Sequence, residues 1–140
     1  PFEEARHVLE GLFVWQKATL DWRIAPGYAP KDEVKALLVL VAAAGDCAPR
    51  GGEIVVEGVR GAYQIKVTGQ RVIVQEDMLR ALSRDATELK PKFTPHYLSA
   101  LAARQTGGGV EVAREEGSVT FSLRFLADSA QSAPAALTAG

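Results

Sequence analysis

The run from Pro30 to Gly58, PKDEVKALLVLVAAAGDCAPRGGEIVVEG, leaves a chain of this kind few ways to fold. Apolar residues recur at Val34, Leu37, Leu38, Val41 and Ala44, one stripe of a helix. Val39, Leu40, Ala42 and Ala43 widen that stripe until almost no polar face remains, so the helix must be covered on several sides. Pro30 suits its first position, and Asp32 and Glu33 set two carboxylates at the positive end of the helix dipole. Gly45 and Pro49 end the helix, Gly51-Gly52 let the chain reverse, and Ile54-Val55-Val56 resume as a strand.

A buried helix needs enough surrounding chain to cover it, and 140 residues supply one domain with one core. The 16 Lys and Arg nearly cancel the 17 Asp and Glu, so no global field points to nucleic acid or an anionic membrane. No apolar run approaches the roughly 20 residues of a membrane span. A single cysteine excludes an internal disulfide and a cysteine-cluster metal site, which fits a reducing, cytoplasmic setting. The chain opens at Pro1 without an initiator Met or a signal-like segment, and is expected to be a fragment whose upstream part is missing.

Around the central helix the periodicities predict the order α β α β β α α β β. Phe2, Ala5, Val8, Leu9, Leu12 and Phe13 line one side of a first helix, and Leu20, Trp22 and Ile24 alternate in a strand over Ala18–Ile24. Gly58 and Gly61 bracket a reversal into a second hairpin strand with Tyr63, Ile65 and Val67 on one side. Val72-Ile73-Val74 is a short apolar run. Gln75 to Ala86 reads as a brief helix with Met78, Leu79 and Leu82 inward, and 87–93 as a loop. Thr94-Pro95 is a helix start, with Tyr97, Leu98, Leu101 and Ala102 as the buried stripe and Gly107-Gly108-Gly109 as its end. Val110 and Val112 begin a strand, and Val119, Phe121, Leu123 and Phe125 alternate in the last one. Residues 1–126 are expected to form the domain, and 127–140, rich in Ala and Ser, a disordered tail. The expected fold class is α+β: a two-layer sandwich of a mixed, mostly antiparallel sheet with helices on one face.

This order, with a buried helix feeding a Pro-x-Gly-Gly turn and a hairpin, resembles the ATP-binding domain of histidine kinases and their GHKL relatives (the Bergerat fold). Ala48–Gly52 and Gly107–Val112 match that family's structural landmarks. The resemblance implies two asparagines one turn apart on the helix, the second holding magnesium. It also implies an Asp-x-Gly-x-Gly that reads adenine and a glycine opening the last helix. Here those positions hold Val39 and Ala43, Gly69 and Arg71, and Pro95, and the sequence contains no asparagine at all. The expectation is therefore a kept fold that binds neither ATP nor another cofactor, with Val39, Ala43 and Gly69 gathered round one emptied cleft.

Within that group the wording is similar to the C-terminal domain of alphaproteobacterial ChpT-type histidine phosphotransferases. The shared stretches are Leu9–Phe13, Thr19–Trp22, Val34–Leu38 with its Pro-Arg-Gly-Gly, and Pro95–Arg104, over roughly Glu3 to Phe125. The resemblance implies a phosphorelay protein that shuttles phosphoryl groups between the receiver domain of a hybrid histidine kinase and those of response regulators. It also implies a homodimer built on an N-terminal helical hairpin that bears the phosphoaccepting histidine, and that hairpin is not in this chain. The rival readings are an active ATP-binding kinase or anti-sigma ATPase domain, and an interaction module outside any phosphorelay.

No catalytic or metal-binding residue is assigned. His7 and His96 lack an adjacent acid to orient an imidazole and read as helix-surface residues. Cys47 follows the buried helix and reads as a core thiol. Gly107–Gly109 lacks the Gly-Lys-Ser/Thr of a phosphate loop and reads as a helix stop. Arg71, Arg80 and Arg84 stand where ATP-binding relatives keep the adenine site and lid. They are the candidates for a basic patch facing the acidic surface of a receiver domain.

Overall fold

The computed structural model describes residues 1–13, 17–83 and 89–126. Its elements follow the expected order: α1 (Phe2–Phe13), β1 (Ala18–Trp22), α2 (Lys31–Asp46), β2 (Gly52–Val59), β3 (Ala62–Thr68), α3 (Glu76–Leu82), a 3-10 turn (Pro91–Phe93), α4 (Thr94–Gln105), β4 (Gly109–Glu115) and β5 (Ser118–Arg124). The five strands lie in the order β1-β2-β3-β5-β4. Only β1 and β2 run parallel, because α2 carries the chain across between them; the other pairs are hairpins or antiparallel neighbours.

Register makes one face apolar. Ile54 sits opposite Val67 and Val56 opposite Ile65; Ile65 in turn faces Phe121 and Val67 faces Val119. All six are fully buried. Helices α1, α2 and α4 pack on that face, and α3 packs on α4. The other face carries Glu53, Glu57, Gln64, Lys66 and Arg124, all exposed, as an antiparallel sheet covered on one side requires. Two layers, one core: the fold is the α+β sandwich that the periodicities imply.

Several local expectations need correction. Pro30 is the residue before α2 rather than its first, and α2 runs on through Gly45 to Asp46, because the turn 47–50 rather than Gly45 breaks the hydrogen-bond ladder. Strand β1 stops at Trp22, although Ile24 is still buried. On α1, Val8 and Leu12 are 61% and 43% exposed, and only Phe2, Ala5, Leu9 and Phe13 are buried. The short apolar run Val72–Val74 lies between β3 and α3, where Ile73 donates its N–H to the Cys47 carbonyl at 2.8 Å. Helix α3 ends at Leu82, and its inward residues are Met78, Ala81 and Leu82. On α4 the buried residues are Ser99, Ala100 and Ala103, while Leu98 is 54% exposed. Small side chains face inward there because α4 crosses α2 closely. The expected tail, 127–140, and Arg84 lie outside the described residues.

Two features fix the sheet against the helices. Glu33 on the first turn of α2 is only 2% exposed. Its Oε2 accepts the Gly61 N–H at 2.6 Å and the Tyr63 hydroxyl, tying the start of α2 to the β2–β3 turn. Burial, then the hydrogen bond to Glu33, pushes the Tyr63 hydroxyl pKa well above its ordinary value. At the far end of the sheet, Gly108 lies so close to β5 that a Cβ there would stand 1.9 Å from the Arg124 carbonyl oxygen. Gly108→Ala must push the α4–β4 connection off β5, and is expected to lower stability by about 2 kcal/mol in urea unfolding. A loss below 0.5 kcal/mol, the size typical of neutral surface substitutions, would show that the turn relaxes freely.

Candidate functional site

The resemblance to ATP-binding kinases puts its altered positions on the buried helix and at the start of the last helix. Here α2 and α4 leave a groove of about 450 Å³, and its walls are Ala36, Val39, Pro95, Leu98 and Ala102 with Asp32 and Lys35 at one end. Val39 and Pro95, two of the five substituted positions, meet in it. Ala43 is not at this groove; it is 2% exposed, packed into the core one turn further on. Gly69 and Arg71 are not among its lining residues either. Gly69 follows β3, donates its N–H to the Gly117 carbonyl at 3.3 Å, and lies so close to Gly51 that a Cβ would stand 2.7 Å from that carbonyl oxygen. The structure thus joins Val39 with Pro95 and sets the other three apart.

The groove's chemistry is poor in ligands for a metal–triphosphate. Magnesium takes octahedral oxygen ligands, usually one or two carboxylates with waters and phosphates. Of the groove's side chains, Asp32, Thr94 and Ser99 carry oxygen, and Ser99 is buried. No cluster of three or more His, Cys, Asp or Glu side chains that could hold a metal occurs among the described residues.

A second, smaller cavity of about 100 Å³ lies at the C-terminal end of α2, between Asp46, Cys47, Gln75, Met78, Lys92 and His96. Cys47 is buried, with its Sγ 3.4 Å from the Ala43 carbonyl oxygen. Burial first, and the Asp46 charge second, push its thiol up to about 12, so no thiolate nucleophile exists at neutral pH. His96 packs edge-on against Phe93, ring centroids 5.2 Å apart, and its buried Nδ1 has no hydrogen-bond partner among the described residues. The sequence places His96 on the surface; the structure half-buries it. Desolvation lowers its pKa from 6.5, with Asp46 opposing and Lys92 reinforcing the shift. A histidine held neutral by folding contributes stability that is present above its unfolded pKa and is lost as pH falls toward its lower folded value. The melting temperature is therefore expected to hold steady above pH 6.5 and to decline below it. His96→Gln should flatten that decline, whereas a variant with the wild-type slope would contradict this assignment.

Of the arginines expected to form a basic patch, Arg71 and Arg80 lie among the described residues. Arg71 is exposed on the connection after β3. Arg80 is tied to Asp77 on its own helix at 2.5 Å, and Lys90 reaches the same carboxylate at 2.7 Å. Hydrogen bonds from Lys90 and Arg80 hold the Asp77 pKa below its ordinary value. The burial of Glu33 and its pairing with Tyr63 escaped the sequence reading. A Glu in a first helical turn normally faces water, and only the outlying Tyr63, on an apolar strand face, hints at a buried acceptor.

Comparison with known proteins agrees with this fold. No curated protein matches the chain. Among solved structures it superposes on a bacterial phosphotransferase with a TM-score of 0.74 and 25% identity, covering 86% of this chain and 62% of that one. The chain thus spans less than two thirds of the length of that phosphotransferase. Two histidine kinases share the fold at 14% identity. ThkA, whose catalytic domain is nucleotide-free in the matching structure, gives a TM-score of 0.60 over 88% of this chain and 89% of that one. AdeS of Acinetobacter baumannii gives 0.56 over 89% and 62%. No helix among the described residues is long and apolar enough to cross a membrane. Residues 2–118 match the family described as the histidine phosphotransferase C-terminal domain, and to that family this chain belongs.

Proposed function

We propose that this domain is the nucleotide-free side domain of a phosphorelay histidine phosphotransferase. In this reading it performs no chemistry of its own. It braces the histidine-bearing helical hairpin of a dimeric protein and adds contact area that selects receiver domains of a hybrid kinase and of response regulators. The observation that carries the reading is a kept frame with an altered lining. The helix, turn and hairpin of an ATPase-like fold are in place, while Val39 and Pro95 face the α2–α4 groove and Ala43 is packed into the core. Phosphoryl transfer needs the histidine and aspartate in line to within a fraction of an ångström, so a rigid domain that fixes the docking angle has a physical use.

Arg71, with Arg80 and Arg84, is proposed to face the acidic surface of the receiver. Rim charges act mainly on the association rate. Arg71→Glu in the whole phosphotransferase is expected to slow transfer from a phosphorylated receiver about threefold to tenfold at sub-saturating protein, with the saturated rate unchanged. Rapid-quench kinetics at 50 and 300 mM salt, on the order of physiological screening, read both quantities. An unchanged second-order rate at low salt would remove Arg71 from the docking surface.

A further inference from the structure

The α4–β4 connection and the end of β5 enclose a polar concavity of about 230 Å³ that shares no residue with the α2–α4 groove. Arg104 from the last turn of α4 and Arg124 from β5 both line it, with Ser122, Glu111 and the bare backbone of Gly107–Gly109. Register explains how Arg124 gains its room: Gly109 lies directly opposite it on β4 and Ala62 on β3, so no bulky side chain flanks it. Ser122 is the next outward residue on β5, opposite Glu111.

Two arginines line this one concavity. Among the described residues neither has an ion pair or a side-chain hydrogen bond, and the Glu111 carboxylate is within 4.0 Å of neither. The negative end of α4 does not claim these two. The Ala103 carbonyl already accepts the N–H groups of Thr106 and Gly108, and the Arg104 carbonyl accepts that of Gly107. Ten guanidinium donors and the Ser122 hydroxyl are left around a space roomy enough for a tetrahedral anion.

We propose that Arg104 and Arg124, with the Ser122 hydroxyl, bind a phosphate-class oxyanion across the Gly107–Gly109 turn. Guanidinium recognises such an anion through paired, charge-assisted N–H···O bonds, which must outweigh repulsion from the Glu111 carboxylate in the same lining. The phosphate can come from free orthophosphate or from the phosphate group of a nucleotide. This site is independent of receiver docking, and of the α2–α4 groove.

The test is a titration of the whole domain with inorganic phosphate, and separately with AMP, followed by backbone amide chemical shifts at constant ionic strength. The expected result is saturable shifts at Gly107–Gly109, Ser122 and Arg124. Half-saturation should rise about tenfold in Arg124→Gln and stay unchanged in Lys92→Gln, a cation outside this site. Tighter binding of AMP assigns a nucleotide as the source, and equal or weaker binding assigns orthophosphate. Shifts that sodium chloride reproduces, or that persist unaltered in both Arg124→Gln and Ser122→Ala, would overturn the proposal. Should ATP bind the domain at all, its loss in Arg124→Gln places it here, and its persistence places it at the groove and contradicts the nucleotide-free reading instead.

Discussion

Glu33→Ala is expected to lower the unfolding free energy by about 3–5 kcal/mol, a large part of the 5–15 kcal/mol that holds a typical domain together. The substitution removes the acceptor of two donors at once, the Gly61 N–H and the Tyr63 hydroxyl. Tyr63 is 1% exposed, so water cannot replace the lost partner at the hydroxyl without opening the core. Each orphaned buried donor costs about 1–3 kcal/mol, and the cavity left by the side chain adds to this. Tyr63→Phe should cost less, about 1–3 kcal/mol, because Glu33 keeps the Gly61 N–H. Urea unfolding of both variants and of the double variant measures the coupling. A Glu33→Ala loss below 1 kcal/mol would show that this contact does not hold α2 to the hairpin.

Ala43→Asn, which puts an asparagine where the resemblance to ATP-binding kinases expects a metal ligand, is expected to cost about 2–4 kcal/mol and to yield no magnesium–nucleotide binding. At 2% exposure Ala43 leaves no room for an amide, and its Cys47 neighbour already donates its thiol to the Ala43 carbonyl. An amide placed there must either displace packed side chains or lie unpaired among them. Val39→Asn, by contrast, enters the wall of an open groove and should cost less than about 1 kcal/mol. Equal costs at the two positions, read by thermal and urea unfolding, would contradict this contrast. Ala43 is part of the core.

The order of elements was legible because each strand alternates over a one-sided sheet and α2 is apolar all round; such patterns survive any tertiary context. Its turns were legible for a harder reason. Gly51, Gly61 and Gly117 adopt φ values of 99°, 87° and 77°, which side chains other than glycine rarely tolerate. What sequence could not show depends on contacts between distant segments. Leu98 outranks Ser99, Ala100 and Ala103 in hydrophobicity, yet the small residues face inward because α4 approaches α2 closely. Glu33 is buried only because Gly61 and Tyr63, about thirty positions on, turn their donors toward it. The positions where the kinase resemblance expects asparagine, aspartate and glycine were visible as departures from it, but not their separation: Val39 meets Pro95 across one groove, while Gly69 is wedged against Gly51. His96 likewise carries no mark of burial in its local sequence, Thr-Pro-His-Tyr.

Isothermal titration of the domain with ATP and magnesium tests the central claim most directly. An apolar-walled groove and a core-packed Ala43 predict no magnesium-dependent heat of binding that survives Arg124→Gln up to about 1 mM nucleotide, the concentration at which a free energy of roughly 4 kcal/mol would be seen. Saturable, magnesium-dependent binding tighter than that, retained in Arg124→Gln and abolished by Val39→Arg in the groove wall, would contradict it.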